Sequence, residues 1–246
     1  MKRSNIIILI LILLVPAGLL MHNLSLRAAF QHAKAEPMRK YEGDQRYFRK
    51  LPPYHHIVLE GGVRTKSRKR RNGASPNNVQ ARIWVGNFSE PALEYRADMK
   101  PFLRTEVRND TLYCWFEADN FGEWRRVARS YRELEIKVPG IVSITADSIN
   151  LDIVQLVQRS PISVQYTNMT VANIGYTDLT RLNLNGLATY MHISGGKVDT
   201  LRYTLGDESQ LTVGAGLVIG KKELVKAGEH ARFSVIGVAA DSAMVR

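Results

Sequence analysis

The sequence predicts an all-β chain built mainly as a β-solenoid, parallel β-helix-like, behind an N-terminal membrane helix. Three observations carry that expectation. Short β-branched or aromatic runs with turn residues between them fill the chain from Tyr54 onward. No stretch in that part holds a 3.6-residue apolar period over a dozen positions. Two ladders of apolar-x-apolar pairs recur with a common period of about 20 residues.

The N-terminus comes first in the chain and sets the expected address. Lys2 and Arg3 precede Ile6–Met21, sixteen uncharged residues rich in Ile and Leu. At a rise of ~1.5 Å per residue this core spans roughly 24 Å, and a full crossing wants about 20 residues. Extension to Leu26 admits only His22, Asn23 and Ser25 as polar members. The expectation is a cytoplasmic tail at 1–4 and a signal anchor or transmembrane helix at 5–26, with a cleaved and exported form as the alternative. Arg27, Lys34, Arg39 and Lys40 after the helix weigh against Lys2 and Arg3 before it. The N-terminal amine and the distance of the downstream bases favour export. Residues 27–53 read as a tether, since charges, Pro37 and Gly43 interrupt any apolar face and Pro52-Pro53 ends it.

An ectodomain is expected over 54–246. Its first part offers Ile57–Leu59, Val79–Val85, Leu93–Tyr95 and Thr111–Phe116 as strands, with Asn109-Asp110 turning a hairpin between Phe102–Val107 and Leu112–Phe116. Its second part carries the repeat. One ladder runs Val142/Ile144, Val164/Tyr166, Leu182/Leu184 and Leu201/Tyr203; the other runs Ile149/Leu151, Met169/Val171, Met191/Ile193 and Leu211/Val213. Stacked coils would make the inward residues a column and place Thr145, Asn150, Gln165, Asn183, His192, Arg202 and Thr212 outward. The alternative fold is an antiparallel β-sandwich with evenly spaced hairpins. A solenoid needs covered ends. Residues 54–116 would cap one, and Leu217–Ile219, Lys221-Lys222-Glu223 and Arg232–Ala239 the other.

The order of these features resembles the auto-transporter adhesin head domain, or GIN domain, of Bacteroidota-type envelope proteins. The residues that carry the resemblance are Leu93–Asp98 through Leu103–Leu112, then Leu134-Glu135-Ile136-Lys137-Val138-Pro139-Gly140 leading into Val142-Ser143-Ile144. Together they cover roughly residues 54–220 as a pattern of apolar positions and turns, behind the N-terminal signal. The resemblance implies a right-handed β-solenoid outside a bacterial inner membrane, single-pass, in the periplasm or beyond, with an adhesion-like role. It supplies no catalytic residues. The basic insertion Arg64–Arg71 departs from the family pattern.

Charge narrows the function classes. The net +11 divides unevenly: residues 1–71 hold fifteen Lys and Arg against four acids, and residues 72–246 hold nineteen against nineteen. The excess therefore belongs to the membrane flank, the tether and one basic loop at 64–78. Within that loop Lys66, Arg68, Lys69, Arg70 and Arg71 are the candidate anionic-surface contact. Nucleic acid is not expected as a partner, because no base-stacking motif accompanies the charge. Alternation in Leu112–Phe116 puts Tyr113 and Trp115 on one face and Leu112, Cys114 and Phe116 on the other, as in a strand covered on both sides. Trp84, Phe121 and Trp124 complete the aromatic set weighed for sugar binding, and core packing is the plainer reading.

Asp147, Asp152, Asp178, Asp199 and Asp207 are spread along the coils, mostly at turns, and His55-His56 has no partner at metal-ligand spacing. No cofactor, metal or catalytic residue is expected. The expected function is a membrane-anchored extracytoplasmic binding or adhesion-like protein, in contact with the lipid bilayer through residues 5–26 and with a polysaccharide or envelope protein through its coil faces. Gln165, Asn183, His192 and Arg202 are the candidate recognition face. A carbohydrate-active enzyme on the same scaffold and a structural subunit of an envelope complex are the alternatives.

Overall fold

A computed structural model describes residues 45–65, 68–72, 79–119, 132–168 and 171–236. Residues 5–26 and most of the tether lie outside the described residues. Among the described residues, no helix is long and apolar enough to cross a membrane. The chain is all-β and forms a curled, open sheet.

The strands of the first part are β1 (Arg46–Lys50), β2 (His56–Thr65), β3 (Arg68–Asn72), β4 (Val79–Val85), β5 (Ala92–Arg96), β6 (Leu103–Arg108) and β7 (Thr111–Ala118), with one 3-10 turn at Ala97–Met99. The second part adds β8 (Arg132–Val138), β9 (Ser143–Asp147), β10 (Asn150–Val157), β11 (Ile162–Thr167), β12 (Val171–Gly186), β13 (Tyr190–Leu205), β14 (Gln210–Ala227) and β15 (Arg232–Ile236). β1 falls within the stretch read as tether, where it pairs antiparallel with β5. The Asn109-Asp110 hairpin forms as expected, with both residues at positive φ (48° and 60°) as a tight two-residue turn requires.

From β9 onward every strand pairing is parallel, which is not how an antiparallel sandwich is built. Each strand meets the one roughly twenty residues later. Ile144 lies against Val164, Val164 against Leu184 and Leu184 against Tyr203, so a buried row stacks in register, but the second pair of the first ladder is displaced by two residues: Ile162/Val164, and not Val164/Tyr166, pairs with Leu182/Leu184. An even shift keeps the same face inward. The first pair also needs adjustment: Val142 is 48% exposed, and Ile141 is the buried neighbour.

The second ladder is displaced at its start. Leu151 and Ile153 pair with Ala172 and Ile174, which pair with Met191 and Ile193, then with Leu211 and Val213. Val171 is 45% exposed, and Met169 lies outside the described residues. The sequence pattern slips here because Ala172 is too small to stand out, and the shift from Met169 to Ala172 is odd. In a strand an odd shift exchanges the two faces.

The turn between the flanks repeats as faithfully as the strands. Ser148, Asn168, Ala188 and Glu208 all have positive φ (56°, 58°, 52° and 58°), one at each twenty-residue step. No glycine occupies this column, although the left-handed conformation costs an L-residue about 1–2 kcal/mol. Asp147 supports the first two members by accepting hydrogen bonds from Ser148 Oγ and Asn168 Nδ2. Gly196, at φ 96°, is the one described glycine in this region of φ, and a Cβ there would overlap the carbonyl of Thr177, its register partner on β12.

The ends differ. β1, β5 and β6 close the first end with antiparallel strands, and Arg49 Nη1 donates to Thr105 Oγ1 across it (3.2 Å). At the other end β15 extends the ladder instead of folding over it, leaving Phe233 38% and Val235 39% exposed. The inward row Ile162–Leu182–Leu201 continues in register to Lys222, an exposed lysine at a core position. A charge in an inward register blocks another strand from adding to the edge.

Two substitutions test these readings. Ala188→Gly should raise stability by about 1 kcal/mol, read as an increase in the urea midpoint at unchanged slope. Lys222→Leu should increase self-association in sedimentation velocity relative to the parent chain; an identical profile would show that Lys222 does not guard the edge.

Candidate functional site

Parallel register that stacks the core also aligns the outer surface. On one flank, which runs through β7, β2, β9, β11 and the trailing halves of β12, β13 and β14, two polar rows cross the strands. Thr111–His56–Ser143–Ser163–Asn183–Arg202–Glu223 is the first. The second is Tyr113–Val58–Thr145–Gln165–Asn185–Thr204–Lys226. Neighbouring members sit one strand spacing apart, about 4.8 Å.

This geometry divides the predicted recognition face. Asn183 and Arg202 are direct register partners, and Gln165 lies in the adjacent row. His192 is on the other flank, between Asn173 and Thr212. Each twenty-residue repeat contributes to two flanks of the sheet, and the period does not say which flank a residue joins.

Within the predicted basic loop at 64–78, the described residues 64–65 and 68–72 are strand. β3 pairs antiparallel with the end of β2, Val63 opposite Asn72 and Thr65 opposite Arg68. Lys66 lies outside the described residues, and Arg68, Lys69, Arg70 and Arg71 run along β3 beside Arg64.

A cleft of about 170 Å³ opens at the foot of this hairpin, lined by Val58, Glu60, Arg64, Glu106, Arg108 and the β7 segment from Tyr113 to Trp115. Leu112, Cys114 and Phe116 of β7 point into the core, and Tyr113 and Trp115 point outward. The outer side is covered by cations. The Arg64 guanidinium lies 5.1 Å from the Trp115 ring centre, and the Arg108 guanidinium 4.6 Å from that of Tyr113. Such contacts contribute about 0.5–2 kcal/mol each. Glu60 holds Arg64 at 2.7 Å, and Glu106 stands 4.0 Å from Arg108. Trp115 Nε1 donates to Glu117 (2.8 Å), which also accepts from Arg104 Nε (3.2 Å). The alternation of β7 announced the ring face; nothing in the sequence announced which arginines would cover it.

The other flank carries an ion-pair network across β1, β5, β8, β4 and β10. Arg46 meets Glu94, Glu133 and Glu135 at 3.0, 3.0 and 3.3 Å; Arg82 meets Glu133 at 2.6 Å and Asp152 at 3.4 Å; Lys137 meets Glu94 and Glu135 at 3.6 and 3.5 Å. The hydrogen bond from Arg46 to Glu94 is the main cause holding that guanidinium above its ordinary pKa, and the Glu133 bond does the same for Arg82. Among the sequence-noted acids, Asp147 and Asp207 serve turns, Asp152 joins this network, and Asp199 pairs with Lys197 at 2.9 Å. Asp178 and Asp199 line a shallow groove with Arg159. His55 meets Asp110 at 2.9 Å, and His56 meets Ser143 at 2.7 Å. Among the described residues no group of three His, Cys, Asp or Glu could hold a metal ion. Trp84 is half-buried on the network flank, and Phe121 and Trp124 lie outside the described residues.

No protein family pattern matches the chain, and no curated protein matches it. Solved structures do. A candidate adhesin from Parabacteroides distasonis is 10% identical, with a TM-score of 0.41, over 77% of this chain and 96% of its own. A candidate adhesin from Bacteroides fragilis is 11% identical, with a TM-score of 0.40, over 78% and 96%. A candidate lipid-binding protein from Parabacteroides distasonis is 9% identical, with a TM-score of 0.27, over 77% and 96%.

Beneath the cleft, burial pushes the Cys114 thiol up to about 12 from 9.0. A thiol so buried and so reluctant to ionise is a packing group. It should resist iodoacetamide at pH 8 in the folded protein and react within minutes in 8 M urea; rapid labelling without urea would contradict the burial. Because the folded state keeps the proton that the unfolded state releases, this group's contribution to stability is present below pH 9 and declines above it.

Proposed function

We propose that this chain is a membrane-anchored, extracytoplasmic binding protein with an adhesion-like role and no catalytic activity, its curled sheet forming a β-solenoid of coils of about 20 residues. In this reading residues 5–26 are the anchor, and the chain is related to the GIN domains it resembles in sequence. The observation that carries the binding role is the pair of polar rows in strand register. From β9 to β13 they offer hydroxyls, amides and one cation, Arg202, at a fixed spacing of about 4.8 Å; the first row continues to His56 and Thr111 on one side and Glu223 on the other, and the second is interrupted by Val58. An extended ligand lying across the strands would meet the same kinds of groups at each step, without any group having to be ordered first. A polysaccharide suits such a surface through its dense hydroxyls.

The carboxylates of Glu94, Glu133, Glu135 and Asp152 are all engaged by Arg46, Arg82 or Lys137, which supports a structural part for them. They tie five strands near the closed end across their outer side.

The test is binding of the full chain to a panel of envelope polysaccharides by biolayer interferometry. Gln165→Ala, Asn183→Ala and Arg202→Ala combined should weaken binding at least tenfold with little change in melting temperature. His192→Ala, on the other flank, should leave it unchanged. Equal loss from both would show that the rows are not the recognition surface.

A further inference from the structure

We infer that the polar rows end in an anion-reading subsite, the Arg64–Trp115 and Arg108–Tyr113 cleft, which selects acidic over neutral polysaccharides. The inference rests on the proposed polysaccharide-binding role and adds the chemical class of the ligand.

Position comes first. Tyr113 heads one polar row, and Arg108 lies opposite Thr111, which heads the other. A chain following the rows therefore leads into the cleft between the two guanidiniums. The rows between are neutral from Ser143 and Thr145 to Asn183 and Asn185; at the far end Arg202 lies beside Glu223, and Lys226 closes the second row. Charged groups on these rows thus stand towards their ends.

Geometry follows. A guanidinium lying over an aromatic ring keeps its planar N–H fork in place, and a fork held in advance suits a carboxylate or sulfate that accepts two hydrogen bonds. Glu60 takes one side of Arg64 at 2.7 Å, which fixes its orientation. The contact of Arg108 with Glu106 is at 4.0 Å, too long for a hydrogen bond, and its guanidinium lies over the Tyr113 ring at 4.6 Å. Arg104 differs: its donors go to Glu117, the Pro101 carbonyl and the Leu103 carbonyl at 3.2, 2.9 and 3.3 Å. It is close by in sequence and spent on its own neighbours, which makes it a control.

The ring faces themselves are covered by Arg64 and Arg108, so a sugar cannot stack on them without displacing a cation. The cleft therefore presents charge and not an aromatic platform.

The experiment uses the full chain in phosphatidylcholine nanodiscs and two probes with one backbone, polygalacturonate and its fully methyl-esterified form. The parent should prefer the acidic probe by at least tenfold at 0.1 M salt, and the preference should fall as salt is raised. Arg64→Gln with Arg108→Gln should remove most of that preference, leave binding of the ester in place and leave the melting temperature within a few degrees. Arg104→Gln should keep the preference. An unchanged preference in the double variant would overturn the subsite. So would competition by phosphatidylglycerol placed in the disc, which would make the cleft a reader of lipid headgroups. Binding of neither probe nor any other polysaccharide by the parent would instead remove the polysaccharide-binding role on which the subsite rests.

Discussion

In-register parallel pairing is the constraint on which the rest of this structure depends. Once Ile144, Val164, Leu184 and Tyr203 stack, every residue between them is assigned a place by strand alternation. The buried column and the outer polar rows are two sides of one register. An insertion of one residue in a strand would send Leu184 outward and Asn185 inward, so the core enforces the surface. This is why a row such as Thr145–Gln165–Asn185–Thr204 can persist without any contact that stabilises the row itself.

The turns and the end of the ladder obey the same constraint. The left-handed residues Ser148, Asn168, Ala188 and Glu208 recur because the chain must change direction at the same point of each twenty-residue repeat. Their conformational cost, borne even by Ala188, is small beside the burial of several aliphatic side chains per repeat at roughly 1.5–3 kcal/mol each. Gly196 marks a place where two strands approach too closely for a Cβ. Lys222 marks where the stacking stops: the register still demands an apolar residue, and the sequence places a charge.

Charge is used differently on the two flanks. Near the closed end, Arg46, Arg82 and Lys137 bind together acids from neighbouring strands, and side-chain charge reinforces the sheet. On the other flank Arg64 and Arg108 cover rings, shielding aromatic surface while leaving cationic edges outward. Neither arrangement follows from the net charge of +11, whose excess resides before residue 72. Local pairing determines what each cation does.

The sequence by itself determined the all-β class, the twenty-residue period, the Asn109-Asp110 hairpin and the partition of charge. Each of these is local or periodic: a turn needs only its own two residues, and a repeat needs only its own spacing. Alternation likewise placed Tyr113 and Trp115 opposite Leu112, Cys114 and Phe116. Tertiary structure alone decided that Val171 faces out while Ala172 is buried, because a small residue gives no apolar signal and an odd shift reverses a strand. It alone separated His192 from Gln165, Asn183 and Arg202, since two flanks share one period. Above all, it brought Arg64 over Trp115, a contact between β2 and β7 set by pairing of distant strands and by the register irregularity between Glu60 and Val63. Periodicity can say which residues are equivalent from repeat to repeat; which unlike residues meet is decided only when the strands are laid side by side.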